Sequence, residues 1–387
     1  MENIIFYKFI LVGGEYMKNN KILKNLRYIL LAIFLIHSTV EAYLHQLLGG
    51  GKEPSIHALC PYGGLESLYV LIFGGTFIDK IFSGTMIILV ITIIMALIFR
   101  RSFCGLICPF GALQEFFGII GKKVFGKRFI IPERVDKPLR YLKYIVFLLT
   151  LVLAWKTAGL WVNPYDPWAA YGHMSAGMES LIEEYSIALI ILIVTIVGSL
   201  LYDRFFCKYL CPMGAFYGII SKLSPSKITR NENTCINCGL CDKNCPVNIK
   251  VSELKEIKSA ECIDCQSCIL SCPKNNTLEF KVKNKSIKPV FVAVFVFVIF
   301  FGGIGITKLM GIYEVTPPPI TSETKMAPEE IKGYMTIEEV SVGLKIDINE
   351  VYKKLEIPTS IPKETKLKEI QNTIPGFDVE GAREKLK

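Results

Sequence analysis

The chain has 387 residues, of which 51% are hydrophobic and 20% charged, and its mean hydropathy is +0.40. A soluble domain carries about 25% charged residues, and here the apolar residues run on uninterrupted, which excludes an ordinary soluble globule, a disordered chain and a disulfide-stapled secreted mini-protein. The formal charge of +9 fits Lys- and Arg-rich cytoplasmic loops of a membrane protein better than it fits nucleic acid binding.

In chain order, residues 1–26 read as a cytoplasmic N-terminal segment, with no small-residue cleavage site after Ile4–Val12. Met17 opens the basic stretch MKNNKILKNLR and is a second candidate start. Membrane-spanning helices are predicted over roughly 27–44, 84–99, 141–158, 186–202 and 288–307, with flanking residues completing the ~20 that a bilayer needs. Leu68–Ile78 is broken by Gly74-Gly75 and followed by Asp79-Lys80, which suits a re-entrant or interfacial segment. The predicted fold class is therefore mainly α. It is a polytopic membrane helical protein with an inserted two-cluster module and a small helical C-terminal domain. The boundaries drawn are 27–230 for the membrane domain, 231–280 for the inserted module, 288–307 for the last span, 308–327 for a linker around Pro317-Pro318-Pro319, and 328–387 for the tail.

Charge orients this frame. Lys and Arg number five up to Arg27, ten in 100–143 and fourteen in 203–288, against two in 45–83 and one in 156–185. The positive-inside rule then makes the first three segments cytoplasmic and the two loops external, and five spans leave the C-terminus outside. In the tail, Thr336 and Glu339 form a capping box ahead of a short helix, and similar patterns recur at Asn349–Leu355 and Val379–Leu386. Ten basic and twelve acidic residues in 328–387 argue against DNA as a partner.

Cysteines carry the chemistry. Cys235-x2-Cys238-x2-Cys241-x3-Cys245-Pro246 is repeated as Cys262-x2-Cys265-x2-Cys268-x3-Cys272-Pro273, the bacterial two-cluster ferredoxin pattern, in which each fourth cysteine serves the other cluster. Cys235, Cys238, Cys241 and Cys272 are thus predicted to hold one [4Fe-4S] cluster, and Cys262, Cys265, Cys268 and Cys245 the other. Zinc knuckles also use Cys-x2-Cys pairs, but not this duplicated array. Asn248–Ser259, between the two, is expected to be a short helix.

A second duplication lies in the membrane domain. Arg101-Ser-Phe-Cys104-Gly-Leu-Ile-Cys108-Pro109-Phe-Gly111-Ala112 recurs 103 residues later as Arg204-Phe-Phe-Cys207-Lys-Tyr-Leu-Cys211-Pro212-Met-Gly214-Ala215. Helical i, i+4 spacing puts the two thiols of each pair on one face, and the parallel repeats bring Cys104, Cys108, Cys207 and Cys211 together as a third metal site. An iron–sulfur cluster, a single iron or zinc suits four thiolates; inert packing or redox-active thiols are the other readings.

The paired Cys-x3-Cys-Pro motifs, the double ferredoxin segment after the second pair and the four- or five-helix frame resemble the NosR/NapH group of membrane polyferredoxins over about residues 25–305. That resemblance implies electron carriage between the quinone pool and periplasmic reductases, or service in maturation and metal reduction. The sequence departs from NosR in lacking a large N-terminal flavin-binding domain, and the tail lies outside the shared frame.

His57-Ala-Leu-Cys60-Pro61-Tyr62-Gly63-Gly64-Leu65-Glu66 echoes the first membrane motif on the outer side. His57 and Cys60 are candidates for a quinone or cofactor site there, against a turn into the re-entrant segment. His37, Glu41 and His45 share one face of the first helix. His37 and Glu41 are candidate proton carriers for a quinol if both face the interior, whereas His45 also suits the headgroup boundary. Haem is disfavoured, because no later predicted span supplies a second histidine. Trp161–Trp168 reads as an aromatic belt, with Asp166 as a further quinone-side candidate.

The expected function is membrane-bound iron–sulfur electron transfer between cytoplasmic clusters and a membrane quinone or an extracytoplasmic redox protein. It would be an electron-transfer component of a quinone-linked oxidoreductase system in the plasma membrane. The alternative is an assembly, maturation or regulatory factor for a respiratory metalloenzyme. The partners implied are the lipid bilayer, redox proteins and quinone, with no nucleic acid.

Overall fold

A computed structural model of the chain describes residues 2–49, 52–75, 82–157, 161–316, 320, 326–370, 373, 374 and 376–387. It divides into two units, Met1–Val40 with Ile56–Val315, and Glu41–Ser55 with Thr316–Lys387. The helices in order are α1 (Glu2–Leu48), α2 (Tyr62–Gly74), α3 (Ser83–Phe99), α4 (Ser102–Leu106), α5 (Pro109–Phe125), α6 (Glu133–Leu139), α7 (Leu142–Thr157), α8 (Pro167–His173), α9 (Met178–Leu201), α10 (Phe205–Tyr209) and α11 (Pro212–Ile220). Among the described residues, four helical stretches are long and apolar enough to cross a membrane: Asn20–Leu48, Glu133–Thr157, Leu181–Leu201 and Pro289–Leu309. Ser83–Phe99 is a shorter apolar helix at the remaining predicted span.

The packing in the first unit explains which faces are apolar on both sides. α3 buries Ile88, Leu89 and Met95 completely, and the last long helix turns Val292, Val296 and Phe300 into the same core. The opposite faces still carry Ile190, Ile193, Val194 and Val197 on α9, and Val294, Val298 and Phe301 on the last helix, all exposed. Such a continuous apolar exterior is stable only against lipid or another protein. The segment predicted as re-entrant is in part α2, which ends at Gly75 with φ +69°. Ile78, Asp79 and Lys80 lie outside the described residues, as do Pro317–Pro319 of the expected linker.

The inserted module adds strands that hydropathy did not announce. β1 (Ser226–Arg230), α12 (Leu240–Lys243), β2 (Glu256–Ile257), α13 (Ser267–Leu270), β3 (Leu278–Val282) and β4 (Lys285–Ile287) lead into α14 (Pro289–Leu309). The strands form an antiparallel sheet in the order β2-β1-β3-β4, with Ile228 opposite both Phe280 and Ile257. These three side chains are buried, which fixes the register, since a slip of one residue would turn them outward. The helix expected over Asn248–Ser259 is not formed. A single 3-10 turn at Val251–Glu253 gives way to β2, because the sheet edge takes up the backbone that a helix would have used.

The second unit contains α15 (Ile337–Leu344), α16 (Ile348–Leu355), α17 (Leu367–Ile370) and α18 (Val379–Lys385). Thr336 Oγ1 accepts from the Glu339 N–H and Glu339 Oε2 from the Thr336 N–H, at 3.1 and 2.8 Å. Ile337, Val340, Val351 and Leu367 are fully buried beneath these helices.

Candidate functional site

Each cysteine loop of the ferredoxin module is bent by two left-handed residues. Asn237 and Gly239 take φ of +49° and +66° in the first loop, and Asp264 and Gln266 take +49° and +60° at the matching positions of the second. Side chains other than glycine rarely adopt this conformation, and it concentrates at functional sites. The first loop brings Cys235, Cys238 and Cys241 around a hollow that Cys272 of the second loop completes. The second brings Cys262, Cys265 and Cys268 around another that Cys245 of the first completes. Cys238 is exposed, whereas all four cysteines of the second set are buried.

Burial pushes the Cys262 thiol up to about 12, helped by Asp264, and the Cys245 thiol up to about 11. Metal ligation, which deprotonates a thiol outright, is what would make them thiolates. Among the described residues no three His, Cys, Asp or Glu groups stand as ligands of one metal ion. A cubane gives each thiolate its own iron, so four cysteines spaced around a cavity fit that group better than they fit zinc. The Ile249 N–H also donates to Cys245 Sγ at 3.3 Å, the kind of bond that tunes a cluster sulfur.

The membrane motifs depart from the single-helix reading. α4 and α10 are five-residue helices holding Cys104 and Cys207, and the chain then breaks at Ile107 and Leu210. Cys108 and Cys211 are the N-caps of α5 and α11, each followed by proline. The i, i+4 placement on one helix is thus corrected: the residue before a proline is steered out of the helical region, and the proline opens a new helix. Cys108 Sγ accepts from the Gly111 N–H at 3.4 Å and Cys211 Sγ from the Gly214 N–H at 3.3 Å. A helix N-terminus favours a thiolate at that position.

Burial raises the thiols of Cys104, Cys108 and Cys211, and Cys207 raises all three further. Gln114 of α5 clasps Cys207 from the other repeat: its Nε2 donates to Sγ at 3.2 Å and its Oε1 accepts from the backbone N–H at 3.3 Å. Directly beside this group, α4 meets the ferredoxin module. A Cβ on Gly105 would lie 2.3 Å from the Ile263 carbonyl oxygen and 3.1 Å from Cys265 Cα. Around it, Glu115 is buried between Arg27 (2.7 Å) and Arg204 (3.0 Å). Burial opposes its charge, yet the two guanidiniums hold the Glu115 carboxyl down at about 2. Neither Gln114 nor Glu115 was singled out from sequence. The usable signal was the repeat mismatch, since the matching positions are Tyr217 and Gly218.

The outer motif and the aromatic loop come together. His57 Nδ1 lies 3.7 Å from Asp166 Oδ2, Trp168 Nε1 donates to the Ile56 carbonyl at 3.2 Å, and Asp166 Oδ1 caps α8 through the Trp168 N–H at 2.9 Å. Cys60 is half-buried in the same place; burial and then Asp166 push its thiol up to about 12, which disfavours a reactive thiolate. The polar stripe is not an interior face: His37 is exposed, Glu41 and His45 are half-buried, and His45 Nδ1 lies 2.7 Å from the Glu53 carbonyl. The buried side of α1 is instead Arg27, Leu31, Phe34 and Ser38.

Comparison with known proteins covers the same residues. A family model described as a 4Fe-4S binding domain matches 84–128 and again 187–231, and one described as a 4Fe-4S dicluster domain matches 227–286. YccM of Escherichia coli K12, assigned to electron transport, is 32% identical over 72% of this chain and 80% of its own length. The ferredoxin-type protein NapH of the same organism is 27% identical over 41% of this chain and 51% of its own. The regulatory protein NosR of Pseudomonas aeruginosa is 28% identical over 38% of this chain and 20% of its own. No solved structure matches.

Proposed function

The chain belongs to the NosR/NapH-type membrane polyferredoxins, iron–sulfur electron transport proteins of the membrane, and on that premise we propose that it passes electrons between cytoplasmic [4Fe-4S] clusters and a membrane quinone or an extracytoplasmic redox partner. The observation that carries this reading is the contact of Gly105 with Ile263 and Cys265, which seats the ferredoxin module on the membrane cysteines. When bound, the clusters supply one-electron redox chemistry. The protein's part is to hold, space and insulate them. Cys235, Cys238, Cys241 and Cys272 would hold one, Cys262, Cys265, Cys268 and Cys245 a second, and Cys104, Cys108, Cys207 and Cys211 a further iron or iron–sulfur centre. The burial of all four cysteines of the second set, and of Cys104 and Cys207 in the membrane set, shields those sulfurs, while the exposed Cys238 edge leaves the first open to a soluble partner.

The counts of Lys and Arg along the chain support a cytoplasmic module. A hydrocarbon core of about 30 Å makes a mobile quinone the economical link to the far side. A role in maturing or regulating a respiratory metalloenzyme is the second reading, favoured by the likeness to NosR. Anaerobic purification with iron and sulfide counts and redox-monitored EPR, with and without a quinone analogue, tests the first. The wild type should exceed the roughly eight irons of two cubanes, and Cys104→Ser with Cys207→Ser should bring it down to that value. Cys241→Ser should remove one ferredoxin signal and spare the other. Unchanged iron in the double variant removes the membrane centre, and spectra indifferent to quinone favour the second reading.

A further inference from the structure

The two membrane repeats exchange their arginines. Arg101 of the first repeat reaches Gly214 of the second, where a Cβ would meet Nη2 at 2.8 Å; Arg204 of the second reaches Gly111 of the first, where a Cβ would meet Nη1 at 2.4 Å. Each guanidinium therefore lies over the start of the helix that the other repeat's Cys-Pro opens. Both arginines are fully buried. Arg204 Nη1 donates to the Cys104 carbonyl at 2.5 Å and Arg101 Nη1 to the Ala260 carbonyl at 3.0 Å, but Arg204 Nη2 and Arg101 Nε are buried with no hydrogen-bond partner among the described residues.

Charge points the same way. Glu115 is shared by Arg27 and Arg204, which leaves one positive charge over. In the second repeat the counterpart of Glu115 is absent, since Gly218 stands at the matching position. Its place is taken by Glu261 of the ferredoxin module, shared by Arg101 at 3.8 Å and Lys143 at 2.5 Å, which leaves another. Arg140, also near Glu261, is bound to Asp136 at 2.6 Å. Buried unbalanced cations are costly. Four thiolates around a cubane core carry a net negative charge that offsets both.

We propose that Arg101, Arg204 and Gln114 are positioning residues that form a counter-charge and hydrogen-bond collar for an anionic metal–thiolate centre at Cys104, Cys108, Cys207 and Cys211. The collar rests on the reading of those four cysteines as ligands. It does what a neutral brace does not: it stabilises the more negative, reduced state of the centre. Gln114 acts on one identified sulfur, that of Cys207, so the repeats contribute unequally to the centre.

The test uses the anaerobically purified, full-length protein. The EPR signal lost in Cys104→Ser with Cys207→Ser identifies the centre. Gln114→Leu keeps the volume and removes the donor to Cys207. It should raise the oxidised-to-reduced ratio of that signal, read at the wild-type midpoint, by about tenfold, the effect of one hydrogen bond to a charged acceptor. The two ferredoxin signals should keep their midpoints. Arg101→Gln should shift the same signal in the same direction or release the iron of that centre alone, and Arg101→Lys should retain the iron. Wild-type midpoints and iron in both Gln114→Leu and Arg101→Gln would overturn the collar and leave the arginines as braces of the helix breaks. Wild-type iron and spectra in the double cysteine variant would remove the ligand reading and the collar with it.

Discussion

Lys143 in the membrane helix α7 meets Glu261 of the ferredoxin module at 2.5 Å, with the lysine fully buried. The residue that follows Glu261 is Cys262, a candidate cluster ligand, so this ion pair ties a membrane helix to the loop that frames the buried cavity. The two partners are not equivalent. Glu261 also lies near Arg101 and Arg140, whereas the described ion pairs of Lys143 are with Glu261 alone. Glu261→Gln therefore leaves several buried cations short of an anion and should cost about 3–5 kcal/mol. Lys143→Met leaves a carboxylate still held by arginines and should cost less. Thermal unfolding of the purified protein checks the order, and equal losses would show that Lys143 is the dominant partner.

Gly105 sits where the two cysteine systems touch. A methyl group there has no room, being 2.3 Å from the Ile263 oxygen, and the obstacle is backbone rather than a flexible side chain. Gly105→Ala should push the Ile263–Cys265 loop off α4 and speed amide hydrogen exchange across residues 260–266. A control is Gly302→Ala on α14, where the added Cβ meets nothing within 4 Å; it should leave exchange at the loop unchanged. Unaltered exchange in Gly105→Ala would mean that the contact relaxes without cost.

What could be read from sequence follows from which forces are local. The 4Fe-4S module was legible because a cluster dictates cysteine spacing, and the spans because lipid demands unbroken apolar runs. The strands β2 and β4, of two and three residues, leave no periodic trace. The break between Cys104 and Cys108 was written in Pro109, but counting i, i+4 alone passed over it. The role of Gln114 depends on a partner 93 residues away, which no local pattern contains. For α1, periodicity put His37 and Glu41 on one face without saying which face turns inward. The neighbouring stripe of Leu31, Phe34 and Ser38 won, because it fits the core.

Orientation has its own check. The positive-inside count predicts that a reporter fused after Asn276 behaves as cytoplasmic and one fused after Lys387 is active only if it works outside the cytoplasm. Cytoplasmic behaviour at both sites would mean that α14 does not cross the bilayer. The helical tail would then face the same compartment as the ferredoxin module, and an extracytoplasmic docking role for it would fall.

The exposed position of His37 moves the search for quinone chemistry from α1 to the pair His57 and Asp166. His37 is exposed, whereas the Asp166 carboxylate is mostly shielded and 3.7 Å from an imidazole. Burial raises the Asp166 carboxyl above the usual carboxylate range, with His57 pulling against it. It therefore keeps a proton to higher pH than an exposed aspartate and gives it up as pH rises through that shifted value. Asp166→Asn is an informative variant because asparagine caps a helix as well as aspartate does, so the bond from the Trp168 N–H survives while the titrating group is lost. Quinone-linked electron transfer should slow in Asp166→Asn and lose its pH dependence, with cluster reduction by an artificial soluble donor unchanged. His37→Ala should leave both rates as in the wild type. A fall in the quinone-linked rate in His37→Ala, with Asp166→Asn unaffected, would return the site to the first helix.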